Sequence, residues 1–101
     1  MSVVYANEKT FRQEVLESEK TVLLDFFAQW CGPCRRLSPI LEEIAAERGD
    51  IKVVKVDIDE NPELAAKYRV ATIPTLFVVE QGKVLNQAVG LLPKHQILGL
   101  L

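Results

Sequence analysis

Cys31 and Cys34 stand just past an almost continuous apolar run, Thr21–Phe27, and at the start of an amphipathic stretch. This junction constrains the fold more than any other feature of the chain. An unbroken apolar run of this length is what a central strand covered on both faces requires. Beyond Cys34, apolar residues recur at Leu37, Ile40, Leu41, Ile44 and Ala45. That is the stripe of a helix packed on one side. Pro39 falls within it and is expected to kink it, because proline removes a hydrogen bond and crowds the preceding turn. Gly49-Asp50 is expected to end it. The cysteines therefore mark a strand-to-helix turn.

The rest of the chain supplies further units. Ile51, Val53, Val54, Val56 and Ile58 predict a second β-branched strand. Asn61-Pro62 reads as N-cap and first residue of a short helix carrying Leu64, Ala65 and Tyr68. Thr75–Val79 and Val84-Leu85 flank Glu80-Gln81-Gly82-Lys83, a hairpin signal. Pro93 is expected to open a last helix with Ile97, Leu98 and Leu101. Near the start, Val3–Tyr5 is a weak strand, and Asn7 is placed to cap a helix bearing Phe11, Val15 and Leu16. The order is βαβαβαββα, an α/β fold with a central mixed sheet and helices on both faces.

Length and charge narrow the function. The 101 residues suit one domain, 1–101, large enough to fold without a staple. Twelve basic against fourteen acidic residues give a net charge of −2, with no Lys/Arg stripe. Nucleic-acid binding through phosphates has little support. The first residues lack a signal-peptide pattern, and no apolar run is long enough to span a bilayer. The expectation is a cytosolic, cytoplasmic protein without a membrane partner.

The chemistry concentrates on Trp30-Cys31-Gly32-Pro33-Cys34, which holds both cysteines of the chain. A disulfide across so short a loop would add only roughly 2 kcal/mol, so the pair is poor reinforcement. As a redox couple it is well placed. Unpaired N–H groups and the positive dipole end of a helix favour a thiolate, so Cys31 should ionise more readily than a free cysteine. Pro33 suits the first helical turn and stiffens it, while Gly32 leaves room for a substrate backbone. Cys31, at the edge of the turn, is expected to attack a substrate disulfide; Cys34, deeper in the helix, then resolves the mixed disulfide. Arg35 and Arg36 either support the thiolate or are simply solvated. A zinc site would need ligands from His95 or from a second chain, and a pair of inert thiols is the other alternative.

Asp25 is costly to bury in an apolar strand unless it is paired or protonated. It is a candidate proton acceptor for Cys34, acting through water, and Lys55 on the neighbouring strand is its candidate charge partner. Pro74, in Ile73-Pro74-Thr75, opens a strand; sequence alone reads it as a trans proline on an edge strand.

Taken together, Asp25–Cys34, Pro39, Lys55 with Asp57-Ile58-Asp59, Asn61-Pro62, Tyr68-Arg69-Val70, Ile73–Leu76 and Val89-Gly90 resemble the thioredoxin family over essentially the whole chain. The resemblance implies a thioredoxin fold and a cis peptide before Pro74, against the cysteines. It implies a docking surface from Trp30, Gly32, Pro33, Ile58, Thr72, Ile73, Pro74, Gly90 and Leu91, with backbone groups near Thr72 and Ile73 pairing with an extended substrate. Gly-Pro between the cysteines implies a protein-disulfide reductase. No cofactor is expected beyond the Cys31–Cys34 disulfide itself. The implied electron donor is an NADPH-dependent flavoprotein, thioredoxin reductase, and the implied state is a monomer. Phe27 where many members carry tryptophan, Thr72 where glycine or serine is common, and the bulky Leu91 depart from the family pattern.

Overall fold

The structure, a computed structural model, describes residues 3–101. Strands β1 (Val4–Tyr5), β2 (Thr21–Phe27), β3 (Ile51–Asp57), β4 (Thr75–Glu80) and β5 (Lys83–Val89) form one sheet in the order β1-β3-β2-β4-β5. β3 runs parallel to β1 and β2; β4 runs antiparallel to β2 and β5. Helices α1 (Gly32–Glu47), α2 (Pro62–Lys67) and α3 (Lys94–Leu98) and a π-helical turn at Arg12–Leu16 cover the faces. The sheet is mixed, as expected.

Alternation along β2 divides the core. Val22, Leu24 and Phe26 pack with Val54, Val56, Phe77 and Val79 beneath Phe11, Val15 and Leu64. Leu23 points the other way, joining Val53, Leu76 and Val78 under Leu37, Leu41 and Ile44 of α1 and Ile97 of α3. Both faces are thus buried, which explains why the β2 sequence is apolar throughout rather than alternating. Asp25 belongs to the α1-facing row. It is the exception to that rule.

Local chemistry differs from the sequence expectation in several places. Asn7 does not cap the π-helical turn, whose N-cap is Phe11 with no side-chain bond; its Oδ1 accepts from the N–H groups of Lys9 and Thr10 in the turn just before it. Asn61 does not cap α2 with its side chain. Its Oδ1 accepts from Glu8 N–H at 3.1 Å, and its Nδ2 donates to the Asp57 carbonyl at 3.0 Å. A buried amide that can tie two segments together satisfies more groups there than at a helix end. Ile58 lies just past β3, its N–H donating to Phe27 O. α1 continues through Pro39, and α3 is shorter than the Pro93–Leu101 expectation because Gly99 follows it as C-cap. β4 lies between β2 and β5, not at an edge. A proline can open it because the strand's ladder begins only at Thr75.

Candidate active site

β2 ends at Phe27, four residues turn, and α1 begins at Gly32. Cys31 is the N-cap of α1, with extended backbone (φ −87°, ψ 113°) and its sulfur accepting the Cys34 N–H at 3.2 Å. A sulfur in a cap position replaces the usual oxygen acceptor, because the first N–H groups of a helix have no intrahelical partner. Pro33 occupies the first turn, where no N–H is needed. Cys31 and Cys34 are joined by a disulfide with their Cα atoms 5.2 Å apart.

Neither sulfur residue is freely exposed. Cys31 retains 4% exposure and Cys34 2%, so the expected contrast between an exposed and a buried cysteine is almost absent. Phe27 and Ala28 bury them from the strand side, with Ile58 and Ile73 packed against the cluster. The enclosure follows from tertiary neighbours that sequence spacing does not reveal. A cavity of about 310 Å³, lined by Tyr5, Phe27, Ala28, Gln29, Cys34, Arg35, Ser38 and Lys55, reaches the site from the β1 side.

The Ile73–Pro74 peptide is cis, in agreement with the resemblance and against the trans reading. The Ile73 carbonyl oxygen lies 4.0 Å from the Cys31 sulfur. Gly90, at φ +98°, donates its N–H to the Pro74 carbonyl at 2.8 Å, holding the two loops together. That backbone angle favours glycine. The Thr72 carbonyl is taken by the Thr75 hydroxyl. Thr72 and Leu91 are exposed, while Ile58, Ile73 and Gly90 are half-buried. Ile58 and Ile73 therefore converge on the cysteines, with Pro74 buried next in the chain; Leu91 enters only as the neighbour of Gly90.

Trp30 is 67% exposed, and its indole N–H donates to Asp59 Oδ2 at 2.8 Å. Arg35, exposed, donates to the Gln29 carbonyl at 2.7 Å, so it braces the turn rather than pointing away from it. His95 is exposed on α3.

Behind the cysteines, Asp25 is fully buried. Neither of its oxygens has a hydrogen-bond partner among the described residues. Lys55, 4% exposed, places its ammonium 4.0 Å from Asp25 Oδ2. Burial pushes the Asp25 carboxyl up from 3.8 to about 7, while the charge of Lys55 opposes the rise. Lys55 donates to Ser38 Oγ at 3.2 Å, and Ser38 lies one helical turn beyond Cys34. Ser38 and Tyr5 were not site candidates from sequence, and Asp59 entered only among the residues that carry the family resemblance. Only Ser38 had a legible signal, its four-residue spacing from Cys34 on one helix face.

A family model described as thioredoxin matches residues 2–101. A thioredoxin of Streptomyces clavuligerus is 52% identical over 91 residues, covering 90% of this chain and 85% of that protein. The thioredoxin of Bacillus subtilis (strain 168) is 48% identical over 98 residues, covering 96% and 92%. Thioredoxin 1 of Synechococcus elongatus is 50% identical over 96 residues, covering 93% and 90%. Joined to a helix-capping cysteine pair and a cis-proline, these matches mean that the chain belongs to the thioredoxin family of thiol–disulfide oxidoreductases.

Proposed function

We propose that the chain, as a single domain over residues 1–101, reduces disulfides of docked proteins, with Cys31 attacking and Cys34 resolving. The carrying observation is the Cys31 sulfur at the N-cap of α1, accepting a backbone N–H, while Cys34 lies one turn in beside the Lys55 cavity. The Cys31 thiolate attacks one substrate sulfur, forming a mixed disulfide and displacing the other sulfur as a thiolate. Cys34 then loses its proton and attacks Cys31; the Cys31–Cys34 disulfide forms, and the second substrate sulfur leaves and is protonated. Two electrons pass to the substrate. Asp25, raised to about 7, is suited to accept the Cys34 proton near neutral pH, through an intervening water.

Substrate docks across Trp30, Gly32, Ile58, Ile73, Pro74 and Gly90, with its backbone against the Ile73 segment; the convergence of Ile58 and Ile73 on the cysteines supports this placement. The dithiol is regenerated by thioredoxin reductase using NADPH, as family membership supports, and the protein acts in the cytoplasm as a monomer. Among the described residues, no helix is long and apolar enough to cross a membrane. Reduction of a disulfide-bonded protein by a dithiol, with and without the chain, tests the function. Cys31→Ser should abolish the acceleration; an undiminished rate in that variant contradicts the proposal.

A further inference from the structure

One row of the sheet runs through the back of the site. In the parallel registers, Tyr5 of β1 pairs with Lys55 of β3, and Lys55 pairs with Asp25 of β2. Residues paired in this way project on the same face. The Lys55 ammonium lies 4.6 Å from the centroid of the Phe27 ring and 5.7 Å from that of Tyr5. The two rings meet edge to face, 5.9 Å apart. β1 is two residues long and lies at the sheet edge, yet it supplies the outer, largely exposed ring over Lys55, while β2 supplies the inner one, Phe27.

We propose that Tyr5 is a positioning residue, whose ring acts with that of Phe27 to hold the Lys55 ammonium in the interior beside Asp25. A lysine has a long flexible stem and ordinarily extends its charged head to water. Lys55 has such an exit, because it lies one strand from the sheet edge and its side chain lines a cavity that Tyr5 borders. Ring faces attract a desolvated cation, and Ser38 Oγ accepts one of its hydrogens. These contacts keep the charge at 4.0 Å from a carboxylate that has no hydrogen-bond donor of its own among the described residues. Without the Tyr5 ring the head swings outward, and Asp25 loses its counter-charge. The other groups facing the row are Asp57 further along β3, the Tyr5 phenol itself, and Cys34 and Arg35 of α1; β4 contributes Leu76. The importance of this for turnover rests on the proposed proton-accepting role of Asp25, but the positioning itself does not.

The test is an NMR titration of the Asp25 carboxyl carbon in the reduced protein. Tyr5→Leu and Lys55→Met should each raise the midpoint, Tyr5→Leu by roughly half a pH unit, the scale of a cation–π contact made by an exposed ring. Tyr5→Phe keeps the ring and should leave the midpoint in place. Adding Tyr5→Leu to Lys55→Met should move it no further, since the tyrosine acts through the lysine. Should leucine disturb the strand, Tyr5→Ile gives the same reading. A midpoint that stays or falls in Tyr5→Leu overturns the proposal, as does an undiminished Tyr5→Leu shift in the Lys55→Met background. The readout is a titration, so it stands apart from the exchange kinetics that test the role of Asp25.

Discussion

Lys55 stands 4.0 Å from Asp25 Oδ2 but gives a hydrogen bond to Ser38 Oγ, leaving the carboxylate opposed by a charge and bonded to no described residue. Burial raises the carboxyl to about 7, and the charge of Lys55 holds that rise in check. A fully paired aspartate would stay ionised far below that value, and one with no cation nearby would ionise only at higher pH.

Its first consequence is a pH-dependent resolving step. As pH rises through about 7, Asp25 becomes the carboxylate that can accept the Cys34 proton. Stopped-flow measurement should show resolution accelerating across that range, with the first attack less affected by Asp25→Asn. The variant should flatten the rise and slow resolution about 100-fold at pH 7, the lower end of what a positioned general base contributes. Resolution as fast in Asp25→Asn as in the parent removes Asp25 from the role.

The same group makes stability depend on pH. The folded carboxyl titrates near 7 and the unfolded one near 3.8, so the folded state holds the proton more tightly. Stability associated with the protonated acid is fully present below about pH 3.8 and is lost as pH rises to about 7. The full difference is on the order of 4 kcal/mol for a group this deeply buried. Asp25→Asn should therefore be more stable than the parent above pH 7 in urea unfolding, and the gap should narrow toward pH 4. A gap independent of pH contradicts the assignment.

Arg69 carries strain at a position unrelated to proton transfer. Its φ of 55° lies in the left-handed region just after α2, and its N–H donates to Ala66 O while that of Val70 donates to Ala65 O. This closes the helix in a way that glycine manages without steric conflict. Arg69→Gly should raise the urea midpoint, with about 1 kcal/mol of added stability. A lower midpoint would mean that the arginine side chain makes a larger contribution than its backbone costs.

Asp59 should act on docking rather than on chemistry. It accepts the indole N–H of Trp30, an exposed ring at the lip of the cysteine turn. Asp59→Ala releases the ring, and KM for a protein disulfide should rise several-fold with little change in kcat, the pattern of lost uniform binding. A fall in kcat at unchanged KM would assign Asp59 to the chemical step instead.

Much of this was legible in the residues. The Thr21–Phe27 run, the Leu37–Ala45 stripe and the β-branched Ile51–Val56 segment each bury what their periodicity predicts, and element order follows. The Asp25–Lys55 approach was half readable: a buried aspartate calls for a partner, but a lysine on the neighbouring strand could nearly as well have extended its head to solvent. What escaped the sequence was non-local. Asn61 abandons its cap for Glu8, a partner across the fold. Cys31 is nearly as buried as Cys34 because Ile58 and Ile73 arrive from distant segments. Tyr5 reaches the site only through strand register, which no local pattern encodes.

Trapping of the mixed disulfide tests the central assignment most directly. Cys34→Ser, reduced and mixed with a disulfide-bonded protein, should accumulate a covalent adduct through Cys31 that persists until a dithiol is added, read by intact mass and peptide mapping. Cys31→Ser should form little adduct over the same period. An adduct that forms through Cys34 in Cys31→Ser as rapidly as through Cys31 in Cys34→Ser would contradict the division of labour between the two sulfurs.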